Sequence, residues 1–527
     1  MSVAAVNHRK ILCVSPAYSP SFGTFEYAYP LRPGTRAFMP PQGLLVVAAY
    51  LPAQWEVRFV DENMRPARER DFDWADAVLA SGMHVQREQI LSIARRAHRL
   101  GKTAALGGPS VSSDPSGYRE FDYLHVGELG DATDRLIALI DADPGRPAAQ
   151  VRLETRERVA LTEFPIPAYH LAEIGRYFLG SVQFSSGCPY RCEFCDIPGL
   201  YGRIPRLKTP RQVTAELDAM LAQGNLGAVY FVDDNFIANR KAARELVEEL
   251  VRWQKANGYP IEFACEATLN IAKQPELLAL MREAYFITVF CGIETPDIDA
   301  LNAMSKSHNA KLPILDAVAT LNSFGLEVVS GIILGLDTDT PETPARLLDF
   351  VRTSNIPMLT INLLQALPKT PLWDRLADAG RLRHDPARES NVDFLRPYEE
   401  VVDMWRRCIR EAYRPEELYR RFAWNVAHTY PNRIRPPVWP RASWANLRKA
   451  ARILAGLSLH AGIRADYRRH FWKMALPLLR QGRIEDVIRV GLVAHHLITF
   501  ARQAALGREN ASFYSAKASR PAAATAA

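Results

Sequence analysis

The sequence predicts an α/β protein in three successive parts: a doubly wound, Rossmann-like parallel sheet, a partial (β/α)6 barrel of the TIM type, and a helical C-terminal extension. Three observations lead to this prediction. Short β-rich runs alternate with helical patterns up to about residue 150, six further β/α units follow within about 190 residues, and the pattern from about residue 400 onward is helical. Strands that alternate with helices form parallel sheets, because each helix returns the chain to the same edge of the sheet.

The first part contains five predicted strands and three predicted helices. The strands are expected at Lys10–Ser15, Glu56–Asp61, Ala77–Ser81, Thr103–Leu106 and Tyr123–Val126, and the helices at Gly43–Leu51, Glu88–Leu100 and Asp131–Ile140. Doubly wound sheets bind ligands beyond the carboxyl ends of their strands. The loops SGMHVQ and GGPSVSS, which follow two of these strands, therefore predict a ligand site, and a simple packing domain is the alternative.

A polar segment from Asp141 to Glu163, rich in Pro, Arg and Glu, predicts a linker. Six more strands are expected beyond it, near Ser181–Ser185, Ala228–Asp233, Ile261–Glu266, Thr288–Glu294, Glu327–Leu334 and Met358–Leu364. Barrels of this type carry their chemistry at the carboxyl ends of the strands. Four acidic residues fall at such ends, and for each of them a solvated carboxylate is the alternative to a role in the site: Asp233, Asp234, Glu266 and Glu294.

The third part carries the basic charge. The 527 residues have a formal net charge of +7, but residues 403–527 hold 23 Lys and Arg against 8 Asp and Glu, so residues 1–402 are net −8. Within Ser443–Leu457, helical spacing separates an apolar face from a basic one: Trp444, Leu447, Ala451 and Leu454 against Arg448, Lys449 and Arg452. Such a helix is typical of membrane surfaces, and a packed layer over the barrel mouth is the alternative.

We therefore predict a domain at 1–145, a linker at 146–175, a barrel at 176–395, a basic helical domain at 396–510 and a disordered tail at 511–527. The N terminus lacks the apolar core of a signal peptide, and no uninterrupted apolar stretch reaches about 18 residues. Seven cysteines are too few for a disulfide framework. These features predict a cytoplasmic protein that does not cross a membrane.

Three of the seven cysteines crowd into one loop, in the sequence QFSSGCPYRCEFCDIPGLYG. Cys188, Cys192 and Cys195 have the spacing CxxxCxxC and follow the first strand of the second series. Three thiolates on one loop can hold three irons of a [4Fe–4S] cluster and leave the fourth iron open to a ligand. Zinc is the alternative, but it needs a fourth ligand, and the nearest histidine, His170, precedes an intervening strand. We predict a catalytic iron–sulfur cluster.

This cysteine motif, with an aromatic residue before its third cysteine and six β/α units after it, resembles the radical S-adenosylmethionine superfamily. The resemblance implies that the open iron binds S-adenosylmethionine, and that reduction cleaves it to methionine and a 5′-deoxyadenosyl radical. It places Phe194 against the adenine, and Asp233 and Asp234 of VDDN where the family has a glycine-rich turn for the methionine amino group. It also implies that Glu266 and Glu294 contact the ribose or carboxylate, and that Gly331 of SGIILGL runs past the adenine.

A doubly wound domain directly ahead of such a barrel resembles the cobalamin-binding branch of that superfamily. The sequence has no DxHxxG motif, and DYLHVG at 122–127 has the wrong spacing. The resemblance therefore implies cobalamin held without a histidine ligand and cradled by loops whose small residues let the backbone approach it: Gly107, Gly108, Ser110 and Gly127.

The stretch SFGTFEYAYPLRPGTRAFMPPQGLLVVAAYLP narrows the resemblance to the hopanoid C-2 methylases of bacteria. It implies radical methylation of an unactivated ring carbon of a hopanoid lipid, with methylcobalamin as the methyl source and a flavodoxin or ferredoxin as electron donor. No nucleic-acid partner is expected. A bilayer substrate predicts a peripheral position on the inner face of the membrane, with Trp439, Trp444 and Trp472 as anchors.

Three other activities remain open on the same scaffold. One is methylation at another hopanoid carbon, and a second is the oxidative cyclisation of a porphyrin. A third is an RNA-modifying methylthiotransferase, although that class usually carries three further cysteines in its N-terminal domain, where this chain has only Cys13 before Cys188.

Overall fold

A computed structural model describes residues 7–509, except for 307–308, 310–312, 386 and 437–443. Its N-terminal sheet has six parallel strands in the order β2-β1-β3-β4-β5-β6. The strands are β1 Lys10–Ser15, β2 Glu56–Asp61, β3 Ala77–Ser81, β4 Thr103–Gly107, β5 Tyr123–Val126 and β6 Val151–Glu154. The helices are α1 Gln42–Tyr50, α2 Glu69–Trp74, α3 Arg87–Arg99, α4 Pro109–Ser113 and α5 Asp131–Ala142.

This sheet is buried on both faces because its strands alternate their apolar side chains. Leu12 and Val14 of β1 face a core shared with α2, α3 and α4, whereas Ile11 and Cys13 face a core shared with α1 and α5. The predicted doubly wound fold is confirmed. The sixth strand, β6, lies in the segment predicted as a linker, and of its four residues only Leu153 is buried. The sequence shows no strand pattern here because β6 is mostly polar, as an edge strand that contacts the rest of the sheet on one side only can be.

The second sheet is the predicted partial barrel, with six parallel strands in the order β14-β13-β12-β11-β10-β7. Its strands are β7 Gly180–Val182, β10 Ala228–Phe231, β11 Glu262–Glu266, β12 Phe286–Glu294, β13 Glu327–Leu334 and β14 Met358–Leu363, and a short antiparallel pair is formed by β8 Ser185–Ser186 and β9 Arg206–Leu207. The helices of this part are α6 Ile197–Leu200, α7 Pro210–Gln223, α8 Arg240–Asn257, α9 Pro275–Glu283, α10 Ile298–Ala303, α11 Ile314–Ser323, α12 Thr343–Ser354 and α13 Pro371–Asp378.

The interior of this barrel is an open lumen, unlike the packed core of a closed TIM barrel. Alternate strand residues such as Phe231, Phe263 and Val289 are buried under the outer helices. The intervening residues face inward and stay half-buried: Tyr230, Glu266, Thr288, Phe290, Met358, Thr360 and Asn362. A ring of partly accessible side chains around a lumen leaves room for a ligand.

Among the described residues beyond the barrel, five helices follow: α14 Tyr398–Ala412, α15 Pro415–His428, α16 Trp444–Leu459, α17 Arg468–Arg480 and α18 Ile484–Ala505. Part of this extension lies at the amino end of the barrel, not over the mouth that was the alternative expectation. Arg489 of α18 pairs with Glu262 at the start of β11, at 2.7 Å, and Tyr430 donates to Glu327 at the start of β13. The carboxyl ends of the strands, where chemistry was predicted, face the other way.

The two edge strands of the barrel are covered by different parts of the chain. The indole of Trp405 donates to the carbonyl of Ile361 on β14 at 2.8 Å. On the other edge, the amide of Leu179, just before β7, donates to the carbonyl of Phe38 at 2.9 Å. The N-terminal segment 22–38 therefore spans the gap between β14 and β7, because Phe22 at its start stacks on Tyr413, whose hydroxyl bonds Leu359 of β14.

Candidate active site

The three clustered cysteines lie on the loop between β8 and β9, at the carboxyl end of the barrel. Their thiols are free and half-buried. The amide of Cys188 donates to the carbonyl of Gly202 at 3.2 Å, which ties the start of the loop to its return. Gly187 has φ +96°, and a Cβ there would lie 3.0 Å from that same carbonyl oxygen, so the turn into Cys188 requires glycine.

The donor set of this loop is that of an iron–sulfur cluster. Burial raises the pKa of the Cys188 and Cys192 thiols, Cys192 raises the pKa of Cys188 further, and both raise the pKa of Cys195, so the three sulfurs lie close together. Among the residues that the structure describes, no three His, Cys, Asp or Glu side chains converge on a single-ion site. A cubane takes one thiolate on each of three irons, so its ligands need not converge on one point.

The two aspartates of VDDN hold the backbone that leads into the cysteines. Asp233 accepts from the amides of Phe184 and Ser185, and Asp234 accepts from the amide of Gly187 at 2.7 Å. Burial raises the pKa of Asp233 to about 7 and that of Asp234 to about 6. Because Asp233 is 1% exposed, its carboxylate positions the loop from within, while the half-buried Asp234 remains open toward the site.

Glu266 ends β11 and faces the lumen. It accepts a hydrogen bond from Tyr230 at 3.1 Å, and burial raises its pKa to about 7. Repulsion from Asp233 and Asp234 acts in the same direction, so the three carboxylates form one cluster of raised pKa at the carboxyl end of the barrel. Such a cluster favours a cationic ligand such as an ammonium group.

Glu294 ends β12 with the left-handed φ of +66° and forms a buried ion pair with Lys306. The ammonium of Lys306 lies 5.6 Å from the centre of the Phe194 ring and close enough to Cys192 and Cys195 to feel their charge. The sequence reasoning missed Lys306, because a lone lysine near a helix end carries no motif.

Phe194 lies beside Lys306, and Gly331 lies beside Glu294. A cavity of about 170 Å³ is lined by Phe194 together with Met304, Leu336 and Leu364. Gly331 faces the lumen, where an added Cβ would lie 3.4 Å from the ring of Phe290 and 3.5 Å from the carboxylate of Glu294. The ion pair of Glu294 and Lys306 thus connects Phe194 on one side with Gly331 on the other.

The predicted cradle lies at the carboxyl edge of the N-terminal sheet. Gly108 has φ +92° with only 2.3 Å between an added Cβ and the hydroxyl of Ser81, and Gly127 has φ +109° with its amide donating to Ser112 at 2.9 Å. Gly107 ends β4 beside them. The side chain of Ser110 is buried and bonds the hydroxyl of Tyr118, so it faces the domain interior rather than the cradle.

Sequence reasoning passed over one further side chain at this edge. His84 lies on the loop after β3, and its Nδ1 is buried without a hydrogen-bond partner among the described residues. Burial lowers the pKa of His84, so the ring is neutral at physiological pH. A neutral imidazole with an unused nitrogen at a sheet's carboxyl edge is suited to contact a bound ligand.

The cradle and the cysteine loop adjoin each other. Glu128, just after β5, pairs with Arg206 of β9 at 2.6 Å and accepts from the hydroxyl of Ser186 at 3.1 Å. Lys369, in the loop after β14, donates to the carbonyl of Ser112 in α4. The carboxyl edge of the N-terminal sheet therefore faces the carboxyl end of the barrel, so ligands in the two sites would meet.

The C-terminal helices expose apolar side chains. On α16, Trp444 is 85% exposed and Leu447 53% exposed, while Ile453 and Leu457 of its opposite face are buried. Trp472 is different, because its indole donates to the carbonyl of Gly462 at 2.8 Å and packs inside the extension. Trp439 lies outside the described residues. No helix in the described part of the chain is long and apolar enough to span a membrane.

Comparison with protein families and curated proteins gives consistent matches. Residues 182–351 match the radical SAM superfamily, and residues 370–510 match DUF4070, a domain of unknown function. The chain is 61% identical over 507 residues to the hopanoid C-2 methylase of Rhodopseudomonas palustris, covering 96% of both chains. It is 35% identical over 500 residues to an uncharacterized methyltransferase of Synechocystis, covering 92% of this chain and 90% of that one.

Two solved structures share the fold. The radical S-adenosylmethionine methyltransferase TsrM from Kitasatospora setae, with cobalamin and a [4Fe–4S] cluster bound, superposes with a TM-score of 0.55 at 17% identity over 72% of this chain and 80% of TsrM. The cobalamin-dependent S-adenosylmethionine radical enzyme OxsB, with aqua-cobalamin bound, gives 0.60 at 13% identity over 95% of this chain and 81% of OxsB.

Proposed function

Because this chain belongs to the family of the bacterial hopanoid C-2 methylase, we propose that it is a cobalamin-dependent radical S-adenosylmethionine methyltransferase that methylates C-2 of a hopanoid. One observation carries the proposal: 61% identity over 96% of both chains, so the match includes the cradle, the barrel and the helical extension together. The site geometry fits the same chemistry, because three half-buried cysteines adjoin a glycine-lined cradle.

The cysteines would hold a [4Fe–4S] cluster, Phe194 and the acidic cluster would hold S-adenosylmethionine, and the cradle would hold cobalamin. Together these groups supply a radical that removes a hydrogen atom from an unactivated carbon and a methyl group to replace it. The chain's own residues bind and orient them. The carboxylates of Asp234 and Glu266 attract the ammonium group of S-adenosylmethionine, and the buried cation of Lys306 balances negative charge beside the cysteines.

The lumen suits a rigid apolar substrate. Gly331 of β13 carries no side chain, and the atoms nearest to an added Cβ there lie 3.4 Å or more away, which leaves space beside the site. Two residues nearer the amino ends of the strands, Phe290, Val329 and Met358 lie side by side. A pentacyclic hydrocarbon bound against this apolar row would present one ring to the carboxyl end and exclude water from it.

The proposal is tested by producing the full chain in a hopanoid-forming bacterium that lacks this activity and supplies cobalamin. Extracted lipids analysed by mass spectrometry are expected to contain 2-methylhopanoids, and the variant Cys192→Ala is expected to yield none. A methyl group at another ring carbon would show that the enzyme methylates hopanoids at a position other than C-2. Unchanged lipids, with folded and cluster-loaded protein present in the cells, would overturn the hopanoid assignment.

A membrane-surface position follows from the same substrate class. The exposed stripe of Trp444 and Leu447 is flanked by the exposed Arg448 and Arg452, a pattern that favours the interface of an anionic leaflet. The helix α16 packs on the 3-10 segment Glu26–Leu31, which lies in the gap between the two edge strands. Membrane binding through Trp444 and Leu447 would place the bilayer next to the gap between the edge strands β14 and β7.

Flotation with liposomes of phosphatidylglycerol and phosphatidylethanolamine tests this position on the full chain. The double variant Trp444→Ser, Leu447→Ser is expected to reduce the bound fraction by about tenfold, because each lost apolar contact is worth roughly 1.5 kcal/mol or less when partly buried. Leu395→Ser is the matched control, because Leu395 is 67% exposed on a different part of the molecule. Equal flotation of the double variant and the control would reject the membrane role.

A further inference from the structure

The loop that returns from the cysteines to β9 presents an exposed surface made of Arg191, Arg203 and Ile204. Arg191 and Arg203 are exposed, and Ile204 is 81% exposed, more than any other large apolar side chain described except Trp444. Packing explains neither the apolar tip nor its basic neighbours. We infer that this surface, hereafter the 191/204 surface, docks a small acidic electron carrier of the flavodoxin or ferredoxin class, an inference that rests on the proposed function.

The first argument is the connection to the cysteines. Arg203 donates to the carbonyl of Pro189 at 3.2 Å, and Pro189 follows Cys188 in the chain. Gly202 precedes Arg203, and its carbonyl accepts the amide of Cys188 at 3.2 Å. The surface is therefore joined to a cluster ligand by two hydrogen bonds and a few covalent bonds, so a carrier seated on it would lie beside the cluster.

The second argument is charge. Neither Arg191 nor Arg203 forms an ion pair among the described residues, whereas the neighbouring Arg158 and Arg206 are both bound to Glu128, at 3.1 and 2.6 Å. Two arginines without an ion pair, on either side of an exposed apolar residue, form a basic patch within residues 1–402, which are net negative. Such a patch would steer an acidic partner to this loop and away from the rest of that surface.

The third argument is need. The proposed chemistry consumes one electron for each reductive cleavage, and the four cysteines outside the cluster loop, Cys13, Cys265, Cys291 and Cys408, are buried in the cores and form no CxxC pair. In the transfer, the reduced carrier loses one electron and the cluster gains it, and no covalent bond forms or breaks between the two proteins. A transient contact of this kind needs a small patch rather than a large apolar interface.

The test measures cluster reduction under anaerobic conditions with the full-length, cluster-loaded protein. Photoreduced flavodoxin is mixed with the protein, and reduction of the cluster is followed by absorbance and by EPR of frozen samples. The double variant Arg203→Glu, Ile204→Asp is expected to be reduced at least tenfold more slowly than wild type at low salt, with a smaller difference at high salt. Arg282→Glu, an exposed arginine on α9 at the other end of the barrel, is the matched control and is expected to behave as wild type.

Dithionite provides the second arm, because a small chemical reductant needs no docking surface. Wild type and both variants are expected to reduce at the same rate with dithionite. A variant that is slow with both reductants has a damaged cluster, and the milder pair Arg191→Gln, Arg203→Gln then decides, with a loss confined to flavodoxin supporting docking. Equal rates for wild type and the 191/204 variants with flavodoxin would overturn the inference, whether or not hopanoid is the substrate.

Discussion

The ion pair between Arg489 and Glu262 should hold the helical extension on the amino end of the barrel. The guanidinium donates to both carboxylate oxygens, at 3.0 and 2.7 Å, and the pair is mostly buried, with 24% and 14% of the side chains exposed. The nearby Arg489 lowers the pKa of Glu262 despite its burial. Replacing Arg489 with Met would leave this carboxylate buried without its main cation.

Breaking one partner of a buried pair typically costs 3–5 kcal/mol. We expect about 3 kcal/mol for Arg489→Met, because Arg433 also lies near Glu262 and offsets part of the loss. At about 2 °C for each kcal/mol in a unit of this size, the melting temperature should fall by about 6 °C. The double variant Glu262→Gln, Arg489→Met removes both charges and should recover most of this loss, because no ion is left unpaired.

The assay is urea unfolding of the four proteins of this double-mutant cycle at pH 7, followed by circular dichroism and by tryptophan fluorescence. A coupling energy of at least 1 kcal/mol between the two positions is expected. If Arg489→Met and the double variant were equally stable, or if neither differed from wild type, the pair would not hold the extension. The pH dependence adds a check: with a lowered folded-state pKa, the stabilisation from Glu262 is present above its unfolded pKa and is lost as the pH falls through the folded value.

Four further predictions concern the site. Gly108→Ala should weaken cobalamin binding at least tenfold in an absorbance titration, because alanine at φ +92° is strained and its Cβ would collide with Ser81; unchanged affinity would remove Gly108 from the cradle. Burial raises the pKa of Asp233 to about 7, so its contribution to stability falls as the pH rises from about 4 through 7, and Asp233→Asn should flatten that slope in melts of the apoprotein. Lys306→Met should lower the free energy of unfolding of the apoprotein by about 3 kcal/mol by stranding its buried carboxylate partner, whereas Lys306→Arg should lose less. Gly331→Val should keep the iron content but abolish lipid methylation by filling the lumen, and full activity would show that the substrate binds elsewhere.

Much of the fold could be predicted because its signals are local. β1, β2, β3, β5 and β13 have the predicted bounds, since all of them except β2 are short, mainly apolar runs bounded by polar or turn residues. The edge strand β6 escaped, because one buried residue in four leaves no pattern. The end of the barrel covered by the extension also escaped, because pairs such as Arg489 and Glu262 join residues 227 positions apart.

The residues of the candidate site also fall into those that the sequence predicts and those that it does not. The cysteines and Phe194 could be found because they share a motif of fixed spacing, and the strand-end acids because they lie at the ends of predicted strands. Lys306 could not, because its partner and its distance from the Phe194 ring depend on how two loops fold together. Asp233 shows the converse: its position was predicted, but its role is set by two backbone amides that the sequence does not reveal.

The glycines of the barrel strands show where local preference gives way to function. Glycine weakens a strand, yet Gly292 and Gly331 stand opposite each other in the middle of β12 and β13. At Gly292 an added Cβ would lie 2.4 Å from the carboxylate of Glu294 and 2.8 Å from the ammonium of Lys306, so the buried ion pair occupies the space of a side chain. At Gly331 the nearest atoms are 3.4 Å away, so that position could hold a methyl group but keeps the lumen open instead. Gly292 is required by the ion pair beside the cysteines, whereas Gly331 is required only by the ligand that enters the lumen. A substitution at Gly331 therefore tests directly whether the substrate binds in the lumen.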